Sequence, residues 1–236
     1  MLAKLRHDPE AIFEIYVDAK RTDPRARDLL RTAEQLSTRV LPSDGERLDR
    51  MVGTRRHQGV VARIDGRRKE LKLADVLDGL DEPALFLVLD GIQDPHNLGA
   101  LLRTADATGV HGILIPKRRS VSLNATVAKT SAGAVEYVPV ARIGNIAQTL
   151  KKLKEKGFWV AGADMDGEKA YYEADLTGPL VLVVGSEGKG MSRLTKEACD
   201  FIVRMPMVGR INSLNASVAG SILMYESMRQ RLQKKG

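Results

Sequence analysis

Residues 84–236 predict an α/β fold with a parallel sheet covered by helices on both faces, behind a small α/β unit over residues 1–65. Two observations carry this prediction. Near-continuous apolar segments recur along the second region: LFLVLD from Leu85, GILI from Gly112, FWVAGA from Phe158 and LVLVVG from Leu180. Segments of that kind read as strands buried on both faces. Between them the apolar spacing becomes helical, and alternation of the two patterns indicates parallel pairing. A third observation divides the chain. The stretch DGRRKELKLADVLDGLDEP over 65–83 is polar and holds two glycines and a proline, so 66–83 reads as a linker with a short helical segment inside it.

The elements follow in order. IFEIYVD (Ile12–Asp18) is a strand, and the chain starts at Met1 already within a first helix. Pro24 opens a helical pattern through Leu29, Leu30, Ala33 and Leu36. A short strand at 39–41, a short helix at 48–51 and a strand at 59–64 complete the small unit. Beyond the linker, helices are expected at 98–108, 125–132 and 146–156, with a strand over EYVPV at 136–140. The last helix should run over 213–232. It places Leu214, Val218, Ile222, Tyr225, Met228 and Leu232 on one stripe, which would be buried in the core or in a subunit interface.

Composition removes several classes of function. With 43% hydrophobic and 28% charged residues, the 236-residue chain is an ordinary globular one. Its apolar runs fall far short of a membrane helix, and MLAKLRHDPEAIF meets acids too early for a secretory signal. The single cysteine, Cys199, excludes an internal disulfide framework and CxxC zinc sites, which points to a reducing cytoplasm. The four histidines share no ligand spacing, so no metal is expected.

Charge points to a polyanion. Thirty-seven Lys and Arg against 30 Asp and Glu give +7, and residues 47–72 alone hold nine basic side chains against three acids. Arg55 and Arg56 in that run, with Lys117, Arg118 and Arg119, are the candidate RNA contacts. Only ten aromatics occur, too few for a surface built on base stacking. A solvated basic stretch is the plain alternative.

Three motifs carry chemistry. Gly185-Ser186-Glu187-Gly188-Lys189-Gly190 follows a strand like a phosphate cradle. It has no Lys-Ser/Thr pair for a Walker loop and no third glycine in register for a dinucleotide fingerprint. Three glycines in six residues still imply close backbone approach. In DPHNLGALLR, Asn97 is a candidate helix cap, and Arg103 is a guanidinium on an otherwise apolar helix that needs a partner. Ser213-Leu214-Asn215 enters the last helix behind a basic loop, where capping is again the simple reading.

Together and in this order, DPHNLGALLRTADATG, LVLVVGSEGKGMS and MPMVGRINSLNASVAGSILMYE resemble the three motifs of the SpoU (TrmH-like) RNA ribose 2′-O-methyltransferases, of the SPOUT superfamily. The resemblance covers residues 84–230. HQGVVARI and its surroundings resemble the substrate-binding domain of the large-subunit (23S) rRNA guanosine methyltransferases of that family, a small α/β domain (L30e-like). The family's leading strand with a Gly-x-x-x-Val pattern is absent here.

The resemblance implies a deep C-terminal trefoil knot, a homodimer formed through the knotted domain and last helix, and S-adenosyl-L-methionine as cofactor. It implies that Gly185, Glu187, Gly190, Met205, Leu214 and Asn215 hold the cofactor. The implied reaction moves a methyl group to a ribose 2′-hydroxyl of rRNA. Arg103 would anchor the phosphate and the nascent alkoxide, since a free guanidinium is a poor base. Asn97 would orient Arg103 or the ribose, Glu187 would position a neighbour, and Ser213 and Asn215 would bond the nucleotide. His96 has a base's ordinary pKa, but the motif does not depend on it. The alternatives are a tRNA ribose or base-nitrogen methyltransferase, and an RNA-binding protein of the same fold without turnover.

Overall fold

The computed structural model describes residues 1–65, 73–77, 82–118, 120–210 and 213–235. The chain divides into two compact units, Met1–Lys69 and Glu70–Gly236. Most of the expected linker and Arg119 lie outside the described residues. Within the linker stretch a helix forms at Leu73–Leu77.

In the first unit α1 (Leu2–His7) precedes β1 (Ile12–Asp18), α2 (Pro24–Gln35), β2 (Val40–Ser43), α3 (Gly45–Val52) and β3 (Val60–Ile64). β1 is central, parallel to β2 and antiparallel to β3. Asp23 starts α2, its carboxylate accepting from the Arg25 and Ala26 amides. One face of the sheet packs Ile15 and Val17 against Leu5, Leu29 and Ala33. The other packs Tyr16 and Val61 against Leu48.

The second unit runs α4 (Leu73–Leu77), β4 (Leu85–Asp90), α5 (Pro95–Thr108), β5 (Gly112–Pro116), α6 (Ala125–Thr130), β6 (Val140–Ile143), α7 (Ile146–Glu155), β7 (Trp159–Ala163), β8 (Lys169–Ala170), β9 (Leu180–Gly185), α8 (Arg193–Ala198), β10 (Phe201–Arg204) and α9 (Ala216–Lys235). Its seven strands lie in the order β6-β5-β4-β9-β7-β10-β8, and every pairing is parallel. Alternation along β4 and β9 fills both layers. Leu85, Leu87, Leu89, Leu180, Leu182 and Val184 join the core with Leu98, Leu101, Leu102, Leu223 and Met224 of α5 and α9. Phe86, Val88, Val181 and Val183 join the other core with Leu150 and Leu153 of α7. Each such leucine contributes roughly 1.5–3 kcal/mol on burial, so the uninterrupted apolar strands are what hold the sheet between its helices.

Three expectations need correction, and two short strands lie where none was expected. EYVPV is not the strand: Ala134–Glu136 is a 3-10 turn and β6 starts at Val140, after Pro139, whose missing N–H suits a strand's start rather than its middle. β8 and β10, too short to stand out from the sequence, extend the sheet past β7. Asn97 is not the helix cap: Asp94 holds that place, accepting from the His96 amide, and Asn97 lies inside the first turn of α5. The stripe on the last helix is not the core face. Val218, Tyr225 and Leu232 are 46, 50 and 62% exposed, while Ala216, Leu223, Met224 and Ser227 face inward.

Cys199 sits at the end of α8, its thiol donating to the Thr195 carbonyl at 3.3 Å. Burial, with the nearby Asp200 charge, pushes the thiol up to about 12. At pH 8 only about one molecule in ten thousand would then carry the reactive thiolate. The native chain should therefore resist a thiol-specific disulfide reagent at pH 8 and react fully once unfolded. Rapid stoichiometric labelling of the native chain would contradict this.

Candidate functional site

Parallel strands leave their carboxyl ends at one edge of the sheet, where loops can close over a ligand. Here the ends of β7, β9 and β10 adjoin, and the segments that leave them surround a cavity of about 450 Å³. Its apolar side is Val184, Val203, Met205, Met207, Leu214 and Ala219; its other side is the whole run 185–191. That volume lies within the usual range for a small-molecule site.

The 185–190 loop is a tight hairpin. The Ser186 amide donates to the Gly190 carbonyl at 3.1 Å and the Gly190 amide returns the bond at 2.9 Å. Gly188 and Gly190 take φ of +77° and +63°, which side-chain-bearing residues rarely adopt. Gly185 is constrained by space instead: a β-carbon there would stand 2.1–2.4 Å from the Gly190 carbonyl group and the Met191 nitrogen. The loop folds back on its own strand, so only a hydrogen fits.

At the exposed rim three side chains from separate motifs converge. Asn97 Nδ2 donates to Glu187 Oε1 at 3.0 Å, and Asn215 Nδ2 donates to Asn97 Oδ1 at 3.0 Å and also to Glu187 Oε1. The Ala216 amide reaches the same carboxylate oxygen at 3.4 Å. Asn215 caps α9 as well, its Oδ1 accepting from the Ser217 and Val218 amides at 2.9 and 3.3 Å. The capping reading and the site reading thus hold together for Asn215. Capping uses its oxygen, and the site uses its amide nitrogen.

Gly185, Glu187, Gly190, Met205, Ser213 and Leu214 all line the cavity. Arg103 does not join them. It lies six residues, about 9 Å of helix, beyond Asn97 and on a different face of α5. It is exposed, and among the described residues it makes no hydrogen bond or ion pair. The expected Asn97–Arg103 contact is absent within one chain. His96 is exposed, and its ring has no partner among the described residues. Arg55 lies 3.6 Å from Asp49, and Arg56, Lys117 and Arg118 are exposed.

Sequence reasoning missed Asp164, Asp166 and Lys196, which line the same cavity. Lys196 Nζ stands 3.2 Å from a carboxylate oxygen of each acid. Burial works against its charge, but the bonds to Asp164 and Asp166 hold its pKa above the ordinary lysine value. The signal was present in GADMDG, where acids follow a strand at its carboxyl end. Among the described residues no group of three or more His, Cys, Asp or Glu is placed to hold a metal, and no helix is long and apolar enough to cross a membrane.

Comparison with known proteins covers both units. The family described as SpoU rRNA Methylase matches residues 84–225, and that described as RNA 2′-O ribose methyltransferase substrate binding matches residues 2–69. The 23S rRNA (guanosine-2′-O-)-methyltransferase RlmB of Ralstonia nicotianae is 50% identical over 229 residues, 97% of this chain and 92% of that one. The protein of the same description from Nitrosomonas europaea is 50% identical over 234 residues, 99% and 90% of the two chains. Among solved structures, the SpoU methyltransferase AviRb from Streptomyces viridochromogenes in complex with AdoMet aligns with a TM-score of 0.81 at 25% identity, covering 98% of this chain and 87% of that one.

Proposed function

The chain belongs to the SpoU rRNA methylase family, and from that premise we propose that it methylates a guanosine ribose 2′-hydroxyl of large-subunit (23S) rRNA, using S-adenosyl-L-methionine. The observation that carries the reading is the convergence of Asn97, Glu187 and Asn215 at the mouth of the glycine-loop cavity. Both relatives described above are named for this reaction on 23S rRNA, and AviRb is described in complex with AdoMet.

The cavity suits this cofactor. Met205, Met207 and Leu214 offer an apolar slot for adenine, and the hydrogen-only space at Gly185 lets the loop fold back on β9, so that its main chain lines the cavity. Gly185, Glu187, Gly190, Met205, Leu214 and Asn215 would hold it; when bound, it supplies an activated methyl group. The chain's own part is orientation and charge. Glu187 fixes the two asparagine amides at the rim, and Ser213 and Asn215 offer polar groups to the nucleotide. A ribose hydroxyl is a very weak acid, so the developing oxyanion needs a fixed cation. Arg103 is that cation in this reading, holding alkoxide and phosphate.

Arg103 lies away from the rim cluster of its own chain, which favours a homodimer in which a second copy completes the site. The exposed Val218, Tyr225 and Leu232 of α9 are the apolar stripe such a pairing would cover. The trefoil knot belongs to the same reading; β9, inserted between β4 and the earlier strand β7, is what supports it. Cytoplasmic location follows from the rRNA substrate.

Glu187→Gln should lower transfer roughly tenfold to a hundredfold. A bond to a charged acceptor contributes about 1.5–3 kcal/mol, and the rim amides would exchange it for a neutral one. Steady-state kinetics with saturating cofactor would measure this, and an unchanged rate would remove Glu187 from the site. The function itself is tested by incubating large-subunit rRNA and tRNA with methyl-labelled cofactor, then mapping the modified nucleotides. Label in 2′-O-methylguanosine of large-subunit rRNA is expected. Label confined to tRNA or to a base would overturn the assignment.

A further inference from the structure

We propose that the first unit carries a second phosphate-gripping face for the RNA substrate, built from Arg39, Arg47 and Arg63 around Glu14 and Tyr16. It rests on the RNA reading above, but lies on a different unit from the cavity and uses none of the residues named there or the candidate contacts Arg55 and Arg56. β1 is the middle strand of its sheet, and Glu14 and Tyr16, two residues apart on it, share a face. Arg63 of β3 stands opposite Glu14 in the ladder. Arg39 directly precedes β2, and its carbonyl accepts from the Ile15 amide at 2.9 Å.

The side chains converge on one carboxylate. Arg39 Nη1 is 3.8 Å and Arg63 Nη1 3.7 Å from the Glu14 oxygens, and the Tyr16 hydroxyl donates to Glu14 Oε1 at 2.6 Å. Arg47 lies over the Tyr16 ring, its Cζ 5.5 Å from the centroid. The Glu14 side chain is only 13% exposed, yet the Arg39 and Arg63 side chains are 70 and 73% exposed. Three guanidiniums against one carboxylate leave an excess of two positive charges on a small patch. Exposed ion pairs this long contribute little to stability, so the fold does not account for the grouping.

A phosphate does account for it. Guanidinium forks match phosphate oxygens two bonds at a time, and several held on one face take a backbone without reading its sequence. Glu14 then has a definite role: it gathers the arginines in the free protein and competes with phosphate for them.

The test uses the whole chain and a transcript of large-subunit rRNA, with binding followed by anisotropy over a salt series. For Arg39→Ala/Arg63→Ala, the slope of log K against log salt should become shallower by about 1.4, at about 0.7 for each phosphate no longer neutralised on a single-stranded region. Glu14→Gln keeps an acceptor for Tyr16 and should bind the RNA more tightly, whereas a merely structural Glu14 would make that variant bind more weakly. An unchanged slope in the double variant, or weaker binding by Glu14→Gln, overturns the proposal. Methyl transfer by the wild-type chain is measured on the same samples. Its absence would count against the methyltransferase reading, whereas the slopes alone decide the surface.

Discussion

Arg103→Ala should reduce methyl transfer by a factor of about 10²–10³ or more while leaving cofactor affinity within a few-fold. The expected factor is the effect of removing one preorganised group that stabilises a developing oxyanion. The two readouts separate because Arg103 lies outside the cavity at 185–191 and bonds none of its lining residues. Nothing in the cavity should rearrange when the exposed guanidinium is removed. Arg103→Lys should rescue poorly, since an ammonium is a point charge without the planar fork that spans two oxygens. Single-turnover rates and calorimetric titration of the cofactor give the two numbers. Near-normal turnover in the alanine variant would take Arg103 out of the mechanism.

Gly185→Ala should have the opposite profile. The added methyl group would stand 2.1–2.4 Å from backbone atoms of Gly190 and Met191, and backbone has no alternative rotamer to adopt. Either the hairpin bonds between Ser186 and Gly190 lengthen or the end of β9 shifts. Overpacking of this kind costs about 1–3 kcal/mol. Because the loop forms one whole side of the cavity, that cost falls on the binding-competent conformation. Cofactor affinity should drop by up to roughly a hundredfold, with a lower melting temperature for the apo chain. Unchanged affinity would mean that the loop is a structural turn and the ligand lies elsewhere.

The sequence made the sheet legible where strands are buried on both faces. LFLVLD and LVLVVG coincide with β4 and β9 to the residue, and each supplies side chains to both cores. IFEIYVD likewise coincides with β1. β10, four residues long, and β8, with two, carry too little pattern to be distinguished from loop. EYVPV misled because its β-favouring Tyr137 and Val138 follow directly on the 3-10 turn Ala134–Glu136, which Gly133 opens at φ +97°, and Pro139 delays the strand to Val140. The last helix misled for a different reason. Its large apolar residues form a clear stripe, but the face turned inward is made largely of small residues, Ala216, Gly220 and Ser227, with Leu223 and Met224. Periodicity found an apolar face without saying what it packs against. At the site, the motif order identified Asn97, Glu187 and Asn215, but their mutual bonds are tertiary contacts across 28 to 118 residues and no spacing encodes them.

Calorimetric titration of S-adenosyl-L-methionine into the wild-type, Arg103→Ala and Gly185→Ala chains tests the central claim most directly. Saturable binding of one cofactor per chain is expected for the wild type, with similar affinity for Arg103→Ala and a large loss for Gly185→Ala. NAD and ATP should give no comparable signal. Tight binding of either nucleotide with none of the methyl donor, or equal binding of the donor by all three chains, would contradict a cofactor site built on the glycine loop.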